Sequence, residues 1–241
     1  MPLKHLLLRG LLAGLIAGLL AGGFAHLFGE PHIDAAIAIE EAAGPHTHGG
    51  EELVSRGTQS GIGLFLATGL YGLALGGIFA VAYTLLRRRL HTTSDARAAL
   101  TLAAGTLIGL VIVPFVKYPP NPPAVGDPAT IDQRTIAYLA AVALGLVAVW
   151  SAALAARTQN TDWRRATAAT LGFLAVVTVA HLLLPTFDEV PATFPATLLW
   201  NFRISSLGTQ VVLWTTLGLT YAALLTPRRR PADAPEVKVT A

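Results

Sequence analysis

The sequence predicts an all-α membrane protein: a polytopic helix bundle of about six transmembrane helices, with the N- and C-termini in the cytoplasm. Three observations support this fold class. First, 53% of the 241 residues are hydrophobic and only 13% are charged, about half the charged share of a typical soluble domain. Second, the apolar residues form runs long enough to cross a hydrocarbon core as helices. Third, basic residues cluster between alternate runs, as the loops on one side of a membrane do.

The apolar runs place the helices at residues 6–28, 59–86, 98–116, 134–156, 166–184 and 200–225. Each run ends in polar, basic or proline-containing sequence, and these interruptions set the boundaries. The first run follows Lys4 and Arg9 as in a signal peptide. It is long and has no convincing small-residue cleavage site, so we expect a retained helix. The bundle should cover residues 1–226, and the Pro-rich, charged segment 227–241 should be a disordered cytoplasmic tail.

The charge pattern predicts the topology. Thirteen of the 17 lysine and arginine residues fall on one side of a six-helix arrangement, which the positive-inside rule makes cytoplasmic. Five helices would place one basic cluster on the wrong side. The expected setting is therefore the inner membrane, with the lipid bilayer as a partner. Because the basic residues only flank apolar runs, we expect no nucleic-acid partner. The predicted outer side is acidic, and its basic residues are Arg56, Lys117, Arg134 and Arg203.

Glycine spacing predicts how the first helix packs. Gly10, Gly14, Gly18 and Gly22 recur at every fourth position and form one bare stripe. Such faces let two helix backbones approach closely in a membrane, where lipid offers no hydrophobic drive for association. We expect the stripe to serve helix packing.

The first outer loop, expected at residues 29–58, holds the densest group of candidate metal ligands. The chain has no cysteine, so a metal site must use imidazole and carboxylate, which suit divalent first-row metals. The candidates are Glu30, His32, His46, His48 and Glu51. The alternative is a solvated polar loop whose histidines bind nothing.

Two histidines lie near the outer ends of predicted helices: His26 in the first and His181 in the fifth. An ionisable residue in a membrane span marks a functional site by default, because its desolvation must be compensated. The alternative is an interfacial histidine bonded to a helix carbonyl. If the two rings faced each other, they could share a metal ion or ligate a haem.

The second outer loop, expected at residues 117–133, has four prolines within positions 119–123. This composition imposes a stiff, extended connector. Its carbonyl groups should pack under other loops, contact water or offer oxygen ligands to a cation. Lys117, Asn121 and Asp127 are the candidate structural or pathway residues of this loop.

The start of the sixth helix places Arg203, Ser206 and Gln210 on one face. We expect that face to point into the bundle. Arg203 could pair with an acidic residue of the same side, namely Asp127, Asp188 or Glu189, and such a pair would hold the outer loops together without a role in transport.

No nucleotide-binding glycine loop, HExxH motif or GxSxG motif is present in the sequence, so an enzyme is not expected. Two segments instead resemble the CbtA family: Lys117-Tyr-Pro-Pro-Asn-Pro-Pro-Ala-Val-Gly126 and Leu199-Trp-Asn-Phe-Arg-Ile-Ser-Ser-Leu-Gly-Thr-Gln210. The Gly-rich first helix and the outer His/Glu loop extend this similarity over nearly the whole chain.

The resemblance implies a membrane subunit of a cobalt, or related divalent metal, uptake system. It also implies a small single-span, histidine-bearing partner subunit of the CbtB type. Cobalt is then the substrate, and no tightly bound cofactor is expected. We expect capture by His32, His46 and His48, followed by transfer toward His26 and His181. The alternatives are a non-transporting membrane scaffold that binds a partner, and a haem-binding membrane redox subunit.

Overall fold

The computed structural model describes residues 2–42, 54–90, 92 and 94–226. Within these residues the regular structure is helical, and six helices are long and apolar enough to cross a membrane. They are α1 (Leu3–Ala42), α2 (Arg56–Leu86), α3 (Asp95–Lys117), α4 (Pro128–Arg157), α5 (Asp162–Leu183) and α6 (Ala196–Leu225). The predicted fold class and the six spans are confirmed. The predicted tail at 227–241 lies outside the described residues.

The largest difference from the predicted boundaries is the length of α1, which continues to Ala42 instead of ending at residue 28. The prediction that the outer loop begins at residue 29 was therefore wrong. The charged residues after Gly29 suggested a loop, yet the segment is rich in alanine and isoleucine and has few residues that disfavour a helix. The extension adds about 21 Å to α1 beyond its apolar run, or about two thirds of a hydrocarbon core of about 30 Å.

Two prolines inside the helices explain local widening of the backbone. Pro31 has no N–H to donate to the carbonyl of Leu27, and that carbonyl falls in a π turn over Ala25–Gly29. Similarly, Pro114 cannot donate to the carbonyl of Leu110, which falls in the π turn Leu107–Ile112 of α3. Each proline then lies near the start of a new α-helical segment, where a missing N–H costs little.

The glycine stripe of α1 packs against α2, which runs antiparallel to it. A Cβ atom added at Gly14 would overlap the carbonyl oxygen of Gly72, and one added at Gly10 would overlap that of Gly76. Gly18 has the same relation to Thr68. The predicted packing role of Gly10, Gly14, Gly18 and Gly22 is therefore an intramolecular one, between neighbouring helices of the same chain.

A second close backbone contact joins α3 to α4. A Cβ atom added at Gly109 would lie 3.0 Å from the carbonyl oxygen of Gly145. The side chain of Val149 covers the neighbouring Gly105 at 3.3 Å from its added Cβ. Small residues thus set the separation of both helix pairs.

The core of the bundle is built from α1, α2, α3 and α6. Its buried side chains are apolar or aromatic, and Tyr221 lies at its centre, with its ring 5.4 Å from Phe79 and 5.3 Å from Tyr83 in edge-to-face geometry. The hydroxyl of Tyr221 lies 3.5 Å from the carbonyl oxygen of Leu6. No charged side chain belongs to this core within the described residues.

Helices α4 and α5 lie beside this core. Helix α4 packs on α3, and α5 packs on α4 through Ser151, whose hydroxyl donates to the carbonyl of Gly172 at 3.3 Å. Ala180 is the buried residue of α5, so most of this helix faces outward.

We call the end of the bundle that carries Glu30, Asp34, Asp127 and Glu189 the acidic end, and the opposite end the basic end. At the acidic end a small second core joins the extension of α1 to the connecting loops. Ala36 of α1 packs with Phe194 and Leu199, and Val125 lies against them. The extension of α1 therefore packs against the α3–α4 loop near Val125 and the α5–α6 loop near Phe194 instead of projecting alone.

Replacing Gly14 with alanine should destabilise the protein, because the added methyl group meets the rigid backbone of α2. We expect a loss of about 1–3 kcal/mol in the free energy of unfolding, measured by denaturant titration in detergent micelles. Gly23→Ala is the matched control, since its added Cβ lies 4.0 Å from the nearest neighbouring atom, in the ring of Phe65. Equal stability of the two variants would contradict the packing described.

Candidate functional site

The acidic end begins with an ion cluster that ties α1 to α2. The guanidinium group of Arg56 contacts the carboxylate of Glu30, and its Nε donates to Asp34 Oδ1 at 3.0 Å. Glu30 is only 8% exposed, so its charge is compensated mainly by Arg56. Because Glu30 and Asp34 are one helical turn apart, a single arginine can reach both.

This pairing changes what the predicted ligands can offer. Glu30, expected as a metal ligand, is engaged by Arg56, whereas His32 is partly exposed on the extension of α1. His46, His48 and Glu51 lie outside the described residues. Within the described part of the chain, no group of three or more His, Asp or Glu side chains is arranged to hold a metal ion. The described residues thus offer isolated candidate ligands for a metal ion, not an assembled site.

His26 lies in the π turn of α1, opposite a second π turn, Gln59–Gly63, of α2. Its Nδ1 lies 2.9 Å from the carbonyl oxygen of Ser60. Since a carbonyl only accepts, Nδ1 must carry the hydrogen, and Nε2 of the neutral ring keeps its lone pair. The ring is exposed and lies 5.9 Å from that of Phe65.

His181 is held in the same tautomer near the end of α5. Its Nδ1 donates to the carbonyl of Val177 at 2.9 Å, and its Nε2 is buried without a hydrogen-bond partner among the described residues. The two histidines have different surroundings: His26 is placed by α1 and α2, and His181 by α5 and the end of α3. A haem would need the rings of His26 and His181 to face each other, and the contacts of the described residues include no such arrangement.

Lys117 and Tyr118 at the end of α3 cap the end of α5. The ammonium group of Lys117 donates to the carbonyl of His181 at 3.1 Å and to the hydroxyl of Thr186 at 3.2 Å. The hydroxyl of Tyr118 donates to the carbonyl of Pro185 at 2.6 Å. Burial raises the pKa of Tyr118. These bonds satisfy carbonyl groups that the end of a helix leaves without donors.

Glu189, in the loop between α5 and α6, binds the loop between α3 and α4 and the start of α4. It accepts from the hydroxyl of Thr130 at 2.5 Å and from the backbone N–H of Asp127 at 2.9 Å, and it lies 3.2 Å from Arg134. The pKa of Glu189 is lowered mainly by the hydrogen bond from Thr130. The hydrogen bond from the Asp127 N–H and the positive charge of Arg134 lower it further. Gly126, with φ of 126°, leaves room for the guanidinium group of Arg134, which an added Cβ would crowd.

Arg203 does not form the predicted ion pair. Its Nη2 donates to Oδ1 of Asn121 at 2.8 Å, and its Nε points to the carbonyl of Pro120 at 3.4 Å. Arg203 thus contacts the proline loop, and Glu189, one of its predicted partners, pairs with Arg134 instead. Gln210, further along α6, is half-buried, in agreement with a face turned toward the bundle.

The four basic residues of the acidic end share one property that the sequence alone did not reveal. Each is bonded to a loop or to a neighbouring helix, and they are Arg56, Lys117, Arg134 and Arg203. The sequence offered one signal for this role, namely that lysine and arginine are rare on the predicted outer side. The partners of Arg56 and Arg134 were not predicted, because they depend on how distant helix ends meet.

A family model described as "Probable cobalt transporter subunit (CbtA)" matches residues 3–226. No curated protein and no solved structure shows a significant match to the chain. The matched range covers all six helices and the sequence that connects them.

Replacing Arg56 with methionine should leave the carboxylate of Glu30 buried without its partner. We expect the free energy of unfolding to fall by about 1–3 kcal/mol, and a second change, Glu30→Gln, to recover part of this loss. Denaturant titration of both single variants and the double variant measures the coupling. Arg88→Met, at an exposed residue of the basic end, is the control. Additive effects at Arg56 and Glu30 would argue against the pair.

The lowered pKa of Glu189 predicts an acid-sensitive contact between the loops. Its contribution to stability is complete above the ordinary glutamate pKa of about 4.3 and disappears as the pH falls through the lower pKa of the folded state. Thermal midpoints measured between pH 3 and pH 7 should therefore differ most between the native chain and Glu189→Gln near neutral pH. A difference that persists unchanged at pH 3 would contradict this assignment.

Proposed function

Because the chain belongs to the CbtA family, we propose that it is a membrane subunit of an uptake system for Co²⁺ or a related divalent first-row metal ion. The acidic end is proposed to face the outside of the cell and to collect the ion. The basic clusters on the opposite side support this orientation, since cytoplasmic loops carry an excess of lysine and arginine.

The observation that carries the proposal is the position of the ligand-bearing segment. The extension of α1 places His32, Glu40 and Glu41 beyond the apolar part of the helix, and His46 and His48 follow directly in the sequence. Imidazole and carboxylate are suitable ligands for Co²⁺ when thiolate is absent. The loops held by Glu189 and Arg203 support this extension through the small core around Ala36.

The route beyond the capture site needs a second component. The core of α1, α2, α3 and α6 is filled by side chains such as Tyr221 and Leu217, and it offers no charged group in the described residues. His26 and His181 can each supply one ring nitrogen, on different helix pairs. We therefore propose that the ion passes with the help of a partner subunit, a small single-span protein that bears histidines.

The scaffold alternative predicts a bundle without a continuous polar path, and the apolar core of α1, α2, α3 and α6 agrees with this prediction. Its second prediction is not met. It requires the glycine stripe of α1 to contact a partner helix, whereas the stripe is occupied by α2 of the same chain. The haem alternative requires His26 and His181 to face each other, and their described neighbours differ.

The metal-uptake proposal predicts that cells lacking other cobalt importers accumulate ⁵⁷Co²⁺ when they express the chain together with its partner. The variant His32→Ala/His46→Ala/His48→Ala should reduce uptake at limiting cobalt by roughly ten-fold or more, which is the scale on which metal sites respond to altered ligand shells. Uptake should also weaken on acidification toward pH 6, because protonated imidazole does not bind metal.

The matched control is His5→Ala/His91→Ala, which removes imidazoles predicted to be on the cytoplasmic side. Since the chain has no cysteine, a single Ser55→Cys substitution verifies orientation by labelling intact cells with a membrane-impermeant maleimide. Normal uptake by the triple variant would refute capture at this segment. Failure of Ser55→Cys to label would refute the orientation.

A further inference from the structure

A shallow apolar groove of about 590 Å³ lies on the surface of α1 and α2. One end of the groove is at His26 and Gly61, close to the acidic end, and the other is at Leu15 and Leu70. From Leu15 to His26 a helix rises about 16 Å, or half of a hydrocarbon core of about 30 Å. The groove therefore covers the depth of one leaflet.

The groove exists because both helices are altered at the same level. The π turns Ala25–Gly29 and Gln59–Gly63 face each other, and Gly61 has the non-helical φ and ψ angles −99° and −112°. Below them, Gly69 forms the floor without a side chain, between the exposed side chains of Leu66 and Leu70. Nothing lies within 4 Å of a Cβ added at Gly61, so the mouth is open.

The mouth carries one polar acceptor. The hydrogen bond from Nδ1 of His26 to the carbonyl of Ser60 selects the tautomer in which the exposed Nε2 carries a lone pair. The other residues that line the groove are aliphatic, aromatic or glycine. A ligand that fits must therefore have a long apolar part and a hydrogen-bond donor at one end.

We propose that this groove binds a phospholipid with an ethanolamine headgroup. One acyl chain lies along the groove, and the headgroup ammonium donates a hydrogen bond to Nε2 of His26. The bilayer supplies such a molecule at the right depth and in the right orientation. The site does not depend on the proposed function, and a metal ion that reached His26 would compete with the headgroup for the same nitrogen.

The headgroup preference follows from hydrogen bonding and charge. A primary ammonium has N–H donors, whereas the quaternary ammonium of choline has none. An anionic headgroup would meet the carboxylates of the neighbouring extension of α1, which are Glu30, Asp34, Glu40 and Glu41. Arg56 pairs with Glu30 and Asp34. Its single positive charge does not balance the four carboxylates, so the local surface stays acidic.

Native mass spectrometry of the full chain, released from detergent with added lipid, tests the site. The probes are phosphatidylethanolamine, phosphatidylcholine and phosphatidylglycerol with identical acyl chains. One hydrogen bond should favour phosphatidylethanolamine over phosphatidylcholine by roughly two- to ten-fold, and phosphatidylglycerol should bind more weakly still. Gly69→Leu should lower the retention of phosphatidylethanolamine, because the new side chain occupies the groove.

Gly77→Leu is the matched control on the same helix, since its added Cβ meets the side chain of Leu11 instead. His26→Phe keeps a ring but removes the acceptor, so it should abolish the headgroup preference while a chain is still retained. Equal retention of the three lipids by the native chain would overturn the proposal, as would unchanged preference in His26→Phe. Cross-links from a photoreactive group at Ile62 to a second copy of the chain, in phosphatidylethanolamine vesicles, would also overturn it.

Discussion

The close backbone contact between α1 and α2 is the constraint on which the rest of the structure depends. Glycines at Gly10, Gly14 and Gly18 let the two helices approach until the carbonyl groups of one lie against the Cα atoms of the other. At this separation His26 reaches the carbonyl of Ser60, and Arg56 reaches Glu30. The same contact places the two π turns side by side. A wider spacing would remove the ion cluster, the histidine tautomer and the groove together.

The acidic end shows how a membrane protein uses basic residues where the topology makes them rare. Lys117 donates to the carbonyl of His181 at the end of α5, Arg134 of α4 pairs with Glu189 of the α5–α6 loop, and Arg203 binds Asn121 of the proline loop. On the predicted outer side the sequence has ten carboxylates and four basic residues, so the excess of carboxylates gives this face a negative potential. Such a potential raises the local concentration of cations near the membrane, which suits a surface proposed to collect a divalent metal ion.

The sequence was sufficient for the fold class, the six spans and the role of the glycine stripe, because these depend on apolar run length and on residue spacing within one helix. It was insufficient for the extension of α1, where charged residues suggested a loop although the helix continues past Pro31 through a π turn. It also failed for the partner of Arg203, which is set by where the proline loop folds back. Contacts between loops depend on tertiary geometry, and single-helix patterns carry no information about it. His46 and His48 lie outside the described residues, so their role as ligands stays a prediction.

The proposed function assigns metal capture to the acidic end of this chain and, because the four-helix core is filled, completion of the path to a partner subunit. The most direct test of the capture claim is X-ray absorption spectroscopy of Co²⁺ bound to the purified full chain. The account predicts a coordination shell with at least two imidazole nitrogen ligands, which disappears in the variant lacking His32, His46 and His48. A shell composed of oxygen ligands alone, or one that is unchanged in that variant, would contradict it.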